Sequence, residues 1–322
     1  VPTVTKMVGE LIDDGIVMDF GKIETPGGRR PNIYGLNQNS GYFIGVDICH
    51  SHVNIGITDF KGELISDELS IPFIESQPQE RFQRLCEIIT QFIHNSKVPK
   101  HKILSMGINI SGRVNTLTGH SYSSFYFDER PLTEMFENEL NINVSIDNDS
   151  RAMTYGEYIK GCVNGEKNVL YVNVSWGLGL GIIVGGQLYY GKSGFSGEFG
   201  HIPAFGNEIL CHCGKKGCLE TEASGLALHR KFLEKLHSGH SSLLTQKSGY
   251  NPNAPISLND IIEVALQEDM LAIELIEEIG NSLGKHIAGL INLFNPELVV
   301  IGGTLAYAGD YLMLPLRSAI RK

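Results

Sequence analysis

The chain of 322 residues reads as an α/β protein, with two α/β domains around a cleft, preceded by a partial winged helix-turn-helix. Three observations predict this. A run of three hairpin-joined strands, then alternating helices and strands, begins at Tyr42. The same pattern restarts at Asn168. Ahead of both lies a short amphipathic helix followed by two strands around a turn-rich, basic tip. A repeated strand-rich α/β pattern implies duplicated halves, and ligands in such folds sit at strand ends and domain interfaces.

The elements follow in order. Residues 3–14 are predicted helical because Val4, Met7, Val8, Leu11 and Ile12 recur at the helical period. Thr3 is the expected N-cap and Gly15 the expected C-terminal stop. Thr5, Lys6 and Glu10 fall on the outward face. Ile16–Val17 and Ile33–Tyr34 flank GKIETPGGRRPN, which carries Lys22, Arg29 and Arg30. One helix and one hairpin cannot bury a core, so preceding helices outside this chain are expected. This module is assigned to residues 1–38.

The first α/β domain is assigned to 42–160. YFIGVDI (42–48), HVNIGITDF (52–60) and ELISDEL (63–69) read as strands, then a helix at about 79–95. ILSMGINI (103–110) and VSIDND (144–149) are further strands, and a helix follows at about 150–161. The second domain, 161–322, has strands at 168–175, 179–186, 187–191 and 298–303. Its helices are predicted at about 222–237, 257–267 and 270–294. The last residues, LRSAIRK, are expected to belong to a helix crossing back to the first domain.

Composition excludes several classes. With 42% apolar and 19% charged residues, this is ordinary globular material, and no apolar run reaches the roughly 20 residues that span a bilayer. Membrane partners are therefore not expected. Six cysteines are too few for a disulfide framework, which implies a cytoplasmic, reducing location. Cys49, Cys86 and Cys162 read as small buried hydrophobes. A net charge of −10 argues against general nucleic-acid affinity, though not against one local DNA-binding element.

The other three cysteines sit in one loop. His201, Cys211, Cys213 and Cys218 form H-x9-C-x-C-x4-C, four donors suited to a closed tetrahedral zinc site. Chance cysteines or a redox pair are the competing readings. With no coordination position left for water, the zinc would be structural. Its role would be to hold Glu198, His201 and Glu220 toward one place, where carboxylates and an imidazole suit sugar hydroxyls. Solvated surface charge is the bland alternative for the glutamates.

Asn148 and Asp149 end a strand just before a helix. Asp149 fits either a helix N-cap or a general base taking a proton from a sugar hydroxyl. Ser111-Gly112 ends another strand, either as a plain turn or as a source of backbone groups for a ligand.

These residues resemble the ROK family of bacterial repressors, open-reading-frame proteins and sugar kinases. The resemblance covers nearly the whole chain. GEFGH (197–201) looks like the family's ExGH sugar motif, and CHCGKKGCLE (211–220) matches its CxCGxxGCxE zinc motif. The resemblance implies two actin-like, ribonuclease-H-like domains. It implies sugar binding by Gly112, Asn148, Asp149, Glu198, His201 and Glu220, with Asp149 as the catalytic base if the chain is a kinase.

The N-terminal segment is similar to the recognition helix and wing of the family's repressors, which its kinases lack. Thr3, Thr5 and Lys6 would then approach bases or phosphates, and Arg29 and Arg30 the phosphates or minor groove. The family's kinases carry D-x-G-G-T after the first strand; here it reads D-I-C-H-S-H, with Cys49 and His50 in both glycine positions. WGLGLG (176–181) keeps its glycines but has Leu178 where kinases carry a hydroxyl. Gly302-Gly303 resembles the adenosine turn, and SSFYFDE (123–129) departs from the family's sugar contact. These departures count against ATP and Mg²⁺ as cofactors. The sequence thus predicts a sugar-responsive transcriptional repressor rather than an enzyme. Its expected partners are operator DNA, a sugar or sugar-phosphate effector, and a second copy in a homodimer or dimer of dimers. The alternative is an ATP-dependent hexose or N-acetylhexosamine kinase.

Overall fold

The computed structural model describes residues 2–22, 31–246, 251 and 254–321. The chain divides into two compact units, Val1–Asp149 and Ser150–Lys322.

The first unit opens with helix α1 (Pro2–Asp13), so Thr3 lies inside the first turn and is not the cap. Gly15 does end the helix: it takes φ 73°, with Gly15 N–H donating to Ile12 O and Ile16 N–H to Leu11 O. That pair of bonds is a Schellman stop, which needs the left-handed backbone that glycine adopts freely. Strands β1 (Val17–Lys22) and β2 (Asn32–Leu36) form an antiparallel pair. Asn37 ties them to the helix end, donating from Nδ2 to Gly15 O at 2.7 Å and from its backbone to Ile16 O.

The rest of this unit is β3 (Tyr42–Ile48), β4 (His52–Asp59), β5 (Leu64–Pro72), α2 (Pro78–Ser96), β6 (Ile103–Ile110), β7 (Val114–Asn115), β8 (His120–Ser121), α3 (Leu132–Leu140) and β9 (Val144–Asn148). The sheet order is β5-β4-β3-β6-β9, with β6 and β9 parallel to β3. Alternating Ile44, Val46 and Ile48, with Val53, Ile55 and Ile57, bury one face against Leu85, Ile89 and Phe92 of α2. This period-2 pattern on the strands and near-3.6 spacing on the helix is what the sequence displays. β5 runs three residues past the predicted strand, through a bulge at Ser70, which takes φ 57°.

The second unit contains α4 (Asp149–Lys160), whose first residue ends the first unit, β10 (Val169–Val174), β11 (Leu178–Val184), β12 (Gln187–Leu188), α5 (Gly225–His237), α6 (Leu243–Gln246), α7 (Leu258–Leu266), α8 (Met270–Phe294), β13 (Leu298–Gly302) and α9 (Asp310–Ile320). Its sheet order is β12-β11-β10-β13, with β13 parallel to β10. The antiparallel meander plus parallel return thus repeats that of the first sheet. All six residues of β10 are buried, as expected of a central strand covered on both faces. β12 is shorter than the predicted 187–191.

The division falls before α4, whereas the sequence reading places that helix in the first domain. Ser150 and Thr154 explain this: they pack on the glycines of β11, where a Cβ at Gly179 or Gly181 would strike their hydroxyls. Within the second unit, α9 packs along α8. A Cβ at Gly280 would sit 2.7 Å from Leu312 O, so small residues set that helix contact. Of the scattered cysteines only Cys86 is buried; Cys49 is half-buried and Cys162 exposed. No helix among the described residues is long and apolar enough to cross a membrane.

Candidate functional site

The metal loop follows a short 3-10 turn, Phe199–His201, that presents His201. Isolated bridges Pro203–Cys218 and Leu210–Lys216 fold the segment back on itself. Gly214 and Gly217 take φ 85° and 68°, and a Cβ at Gly217 would overlap Phe205 O. The donor atoms of His201, Cys211, Cys213 and Cys218 all lie within 4.8 Å of one another. His201 Nδ1 is 3.5 Å from Cys211 Sγ, and Cys213 Sγ is 3.6 Å from Cys218 Sγ.

The geometry and chemistry of this donor set fit a tetrahedral zinc. Bonds of about 2.3 Å to sulfur and 2.0 Å to nitrogen place ligand atoms roughly 3.5–3.8 Å apart, whereas a disulfide needs about 2.05 Å. Burial pushes the Cys211 thiol up to about 12 and lowers the His201 imidazole, leaving a neutral ring nitrogen to coordinate. The Nε2 of His201 points the other way, 3.8 Å from Glu198 Oε2.

Glu220 is not the solvated charge that the bland reading allows; it is buried. Its Oε2 accepts Leu178 N–H at 2.9 Å, and its Oε1 accepts His212 Nδ1–H at 3.0 Å. Burial alone would raise its pKa, but His212 and the Leu178 N–H outweigh that and hold it low. His212 stacks edge-on against His201 at 5.0 Å between ring centroids. Sequence reasoning missed His212, because it occupies an unspecified position of the cysteine motif. Its i+8 spacing from Glu220 carries no signal until the loop is folded.

The remaining sequence-predicted sugar residues gather in the first unit. Gly112 takes φ 90° after β6, and Asn148 Nδ2 donates to its carbonyl at 3.0 Å. Ser111 Oγ donates to Asp149 Oδ2 at 2.8 Å, and Ser123 Oγ donates to Ser111 O at 3.0 Å. The departing SSFYFDE segment is therefore part of this cluster. Asp149 heads α4, where a carboxylate meets the positive end of the helix dipole.

The turns that resemble phosphate loops are engaged internally. After β3, Cys49 N–H donates to His52 O, and the Cys49 thiol donates to Asp47 Oδ2 at 3.4 Å. Burial and Asp47 push that thiol well above its usual range, so it stays a neutral donor. In the other unit Leu178 N–H serves Glu220, and Thr304 N–H donates to Ser175 Oγ at 3.2 Å.

At the N-terminus, Thr3, Thr5 and Lys6 are all exposed on α1, and Lys6 pairs loosely with Glu10 at 3.7 Å. Arg29 and Arg30 lie outside the described residues. Val4 and Met7 of α1 and Phe20 of the hairpin are also solvent-exposed.

Comparison with known proteins gives the class. Residues 43–322 match the model of the ROK family, and the chain belongs to that family. The xylose repressor of Bacillus subtilis is 28% identical over 320 residues, covering 99% of this chain and 78% of that protein. A crystal structure of a ROK family transcriptional regulator, a homologue of the Escherichia coli Mlc protein, aligns with a TM-score of 0.79 at 27% identity, over 99% of this chain and 80% of the other. A ROK family glucokinase from Streptomyces griseus, solved with glucose and AMPPNP, aligns with a TM-score of 0.75 at 27% identity, over 87% of this chain and 89% of the kinase.

Proposed function

We propose that this protein is a sugar-responsive transcriptional repressor. One observation carries the reading: a helix locked at its end to a hairpin stands ahead of the ROK body, and the repressor and regulator relatives span 99% of the chain where the glucokinase spans 87%. In this reading α1 and the β1–β2 hairpin are the second half of a winged helix-turn-helix. Thr3, Thr5 and Lys6 face operator DNA in the major groove, with Arg29 and Arg30 on the wing. A homodimer presents two such elements to paired half-sites.

The effector is a sugar or sugar phosphate. Gly112, Asn148, Asp149, Glu198, His201 and Glu220 are the groups proposed to contact it. A structural zinc on His201, Cys211, Cys213 and Cys218 would supply the charge that keeps the loop folded. The bound sugar alters DNA affinity only as far as it prefers one protein conformation over another. The protein acts in the cytoplasm, where its thiols stay reduced.

A kinase is the second reading, favoured by the Ser111-held Asp149 carboxylate and opposed by Cys49 in the first phosphate turn. One experiment separates them. The purified protein is used to select binding sites from randomised duplex DNA at physiological salt. In parallel, ATP turnover is measured with Mg²⁺ over a panel of pentoses, hexoses and N-acetyl sugars. Enrichment of a paired motif without sugar-dependent turnover is expected. Turnover lost in Asp149→Asn, with no enriched DNA, would overturn the repressor reading.

A further inference from the structure

The zinc ligands and the family's sugar residues leave one side chain of the metal loop unexplained. His212 stands between two cysteines of the motif, exposed on one side, with Nδ1 3.0 Å from Glu220 Oε1. Glu220 is buried and has only two oxygens. Oε2 is committed to Leu178 N–H, and it packs so tightly on that turn that a Cβ at Gly177 would lie 2.8 Å from it. A carboxylate accepts through about four lone-pair directions and readily takes two hydroxyls of a vicinal diol at once. Here one oxygen is turned to the backbone, and the other is met by an imidazole and, at 3.9 Å, by the Cys211 thiol, which gives up its proton on binding zinc and then leaves the imidazole as the donor to that oxygen.

We infer that His212 is a positioning residue that narrows Glu220 to a single acceptor site, and so sets which sugar hydroxyl pattern the effector must present. The imidazole does not bind the zinc in this scheme. It fixes the Glu220 carboxylate plane, and through it the Leu178 turn, from the far side. The effector then meets one lone pair of Oε1 and has to bring one donor to it. Removing His212 frees Oε1, loosens the carboxylate, and lets a second hydroxyl bind. The effector part of this inference rests on the sugar-binding reading; the hold on Glu220 does not.

The test uses the purified chain and two variants, His212→Ala and His212→Asn. Asparagine places an N–H donor where Nδ1 stood. Zinc content is read by plasma mass spectrometry, and one zinc per chain is expected in all three. Hydrogen exchange of peptides covering Leu178 is expected to speed up several-fold in His212→Ala and to return toward the parent rate in His212→Asn. Thermal shifts over a panel of pentoses and hexoses are expected to show epimer discrimination narrowing about ten-fold in the alanine variant, as when one well-placed hydrogen bond is lost, and recovering in the asparagine variant. Unchanged exchange at Leu178 in His212→Ala overturns the inference whatever sugar binds. Two zinc ions per parent chain falling to one in the alanine variant, or zinc loss in that variant, would make His212 a ligand and overturn it too. If no sugar shifts the parent protein, the effector reading fails, while the exchange arm still decides whether His212 holds Glu220.

Discussion

Ser111 Oγ donates a hydrogen bond to Asp149 Oδ2 at 2.8 Å, linking the loop after β6 to the first residue of α4. The two residues are 38 apart in sequence, and parallel pairing of β6 with β9 brings their strand ends side by side. The hydroxyl fills one acceptor position of the carboxylate and sets its rotamer. The carboxylate held in this way is the group proposed to receive a sugar hydroxyl. Asp149→Asn is therefore expected to abolish the sugar-induced thermal shift, since an amide turns an acceptor into a donor. Ser111→Ala should weaken sugar affinity by about three- to ten-fold, the value of roughly 1 kcal/mol for one hydrogen bond. Calorimetric titration of both variants checks this. Equal affinity in Asp149→Asn would remove Asp149 from the site.

The loop around His201 predicts a metal-dependent stability. Four donors within 4.8 Å, three of them thiols that repel once ionised, are arranged as a cation between them would hold them. Cys218 is fully buried, so Cys218→Ser leaves a hydroxyl that binds zinc poorly inside a packed loop. Zinc stoichiometry is expected to fall from one to near zero. The melting temperature should drop by about 5 °C or more, given roughly 2–4 °C per kcal/mol for a domain of this size. Chelator treatment of the parent should reproduce the drop, and added zinc should reverse it. A variant that melts with the parent would show that the loop stands without metal.

Gly181 predicts an overpacking defect. It lies on β11 directly under Thr154 of α4, and a Cβ there would overlap the threonine side chain. Gly181→Ala forces α4 away from the sheet and is expected to cost about 1–3 kcal/mol. Thr154→Ala in the same chain removes the hydroxyl and the methyl that this Cβ would strike and should recover part of that loss. Chemical denaturation of the single and double variants reads the coupling. Additive losses would mean that α4 does not rest on this glycine.

Much of this architecture is legible in the sequence, for identifiable reasons. β3 and β4 alternate cleanly because one sheet face is buried, and β10 is a continuous apolar run because both faces are. The loop around His201 is legible because His201, Cys211, Cys213 and Cys218 have the residue types and spacing that a tetrahedral ion would require. What escapes is set by tertiary contact. Nothing local says that Glu220 is buried, because its partners Leu178 and His212 meet it only after the loop closes. The nine-residue helix at Leu132–Leu140 goes unread, although Leu132, Met135, Phe136 and Leu140 do recur at the helical period. α4 is legible as a helix but not as part of the second unit, since the deciding contacts are with Gly179 and Gly181 on a later strand.

Glu297 predicts an acid-sensitive clamp. Its Oε2 accepts the backbone N–H groups of Lys167 and Asn168 at 2.7 and 2.8 Å, and Asn168 Nδ2 at 3.2 Å, joining the starts of β10 and β13. Those donors, the two backbone groups first, favour the ionised form and hold its pKa below the usual glutamate value. A depressed carboxylate stabilises the fold above its unfolded pKa, and that contribution is lost as pH falls through the folded pKa. Melting temperature should therefore fall more steeply with pH below about 4.5 in the parent than in Glu297→Gln. Parallel pH–melting curves for the two would remove the clamp.

Lys6 gives the sharpest test of the N-terminal element. It is the one described cation of α1, four-fifths exposed, and its 3.7 Å pairing with Glu10 is too solvated to hold it. If α1 lies in the major groove, its ammonium meets a phosphate and releases about one counterion. Lys6→Ala should then weaken binding to the selected DNA site evenly across sequence variants, and the slope of log affinity against log salt should flatten by about 0.9. Thr3→Ala and Thr5→Ala would behave differently if they read base edges: the salt slope should stay unchanged while discrimination at single positions relaxes. Fluorescence anisotropy on labelled duplexes at four salt concentrations reads both quantities. An unchanged slope in Lys6→Ala, with Thr3→Ala and Thr5→Ala binding as the parent does, would place the DNA away from α1 altogether.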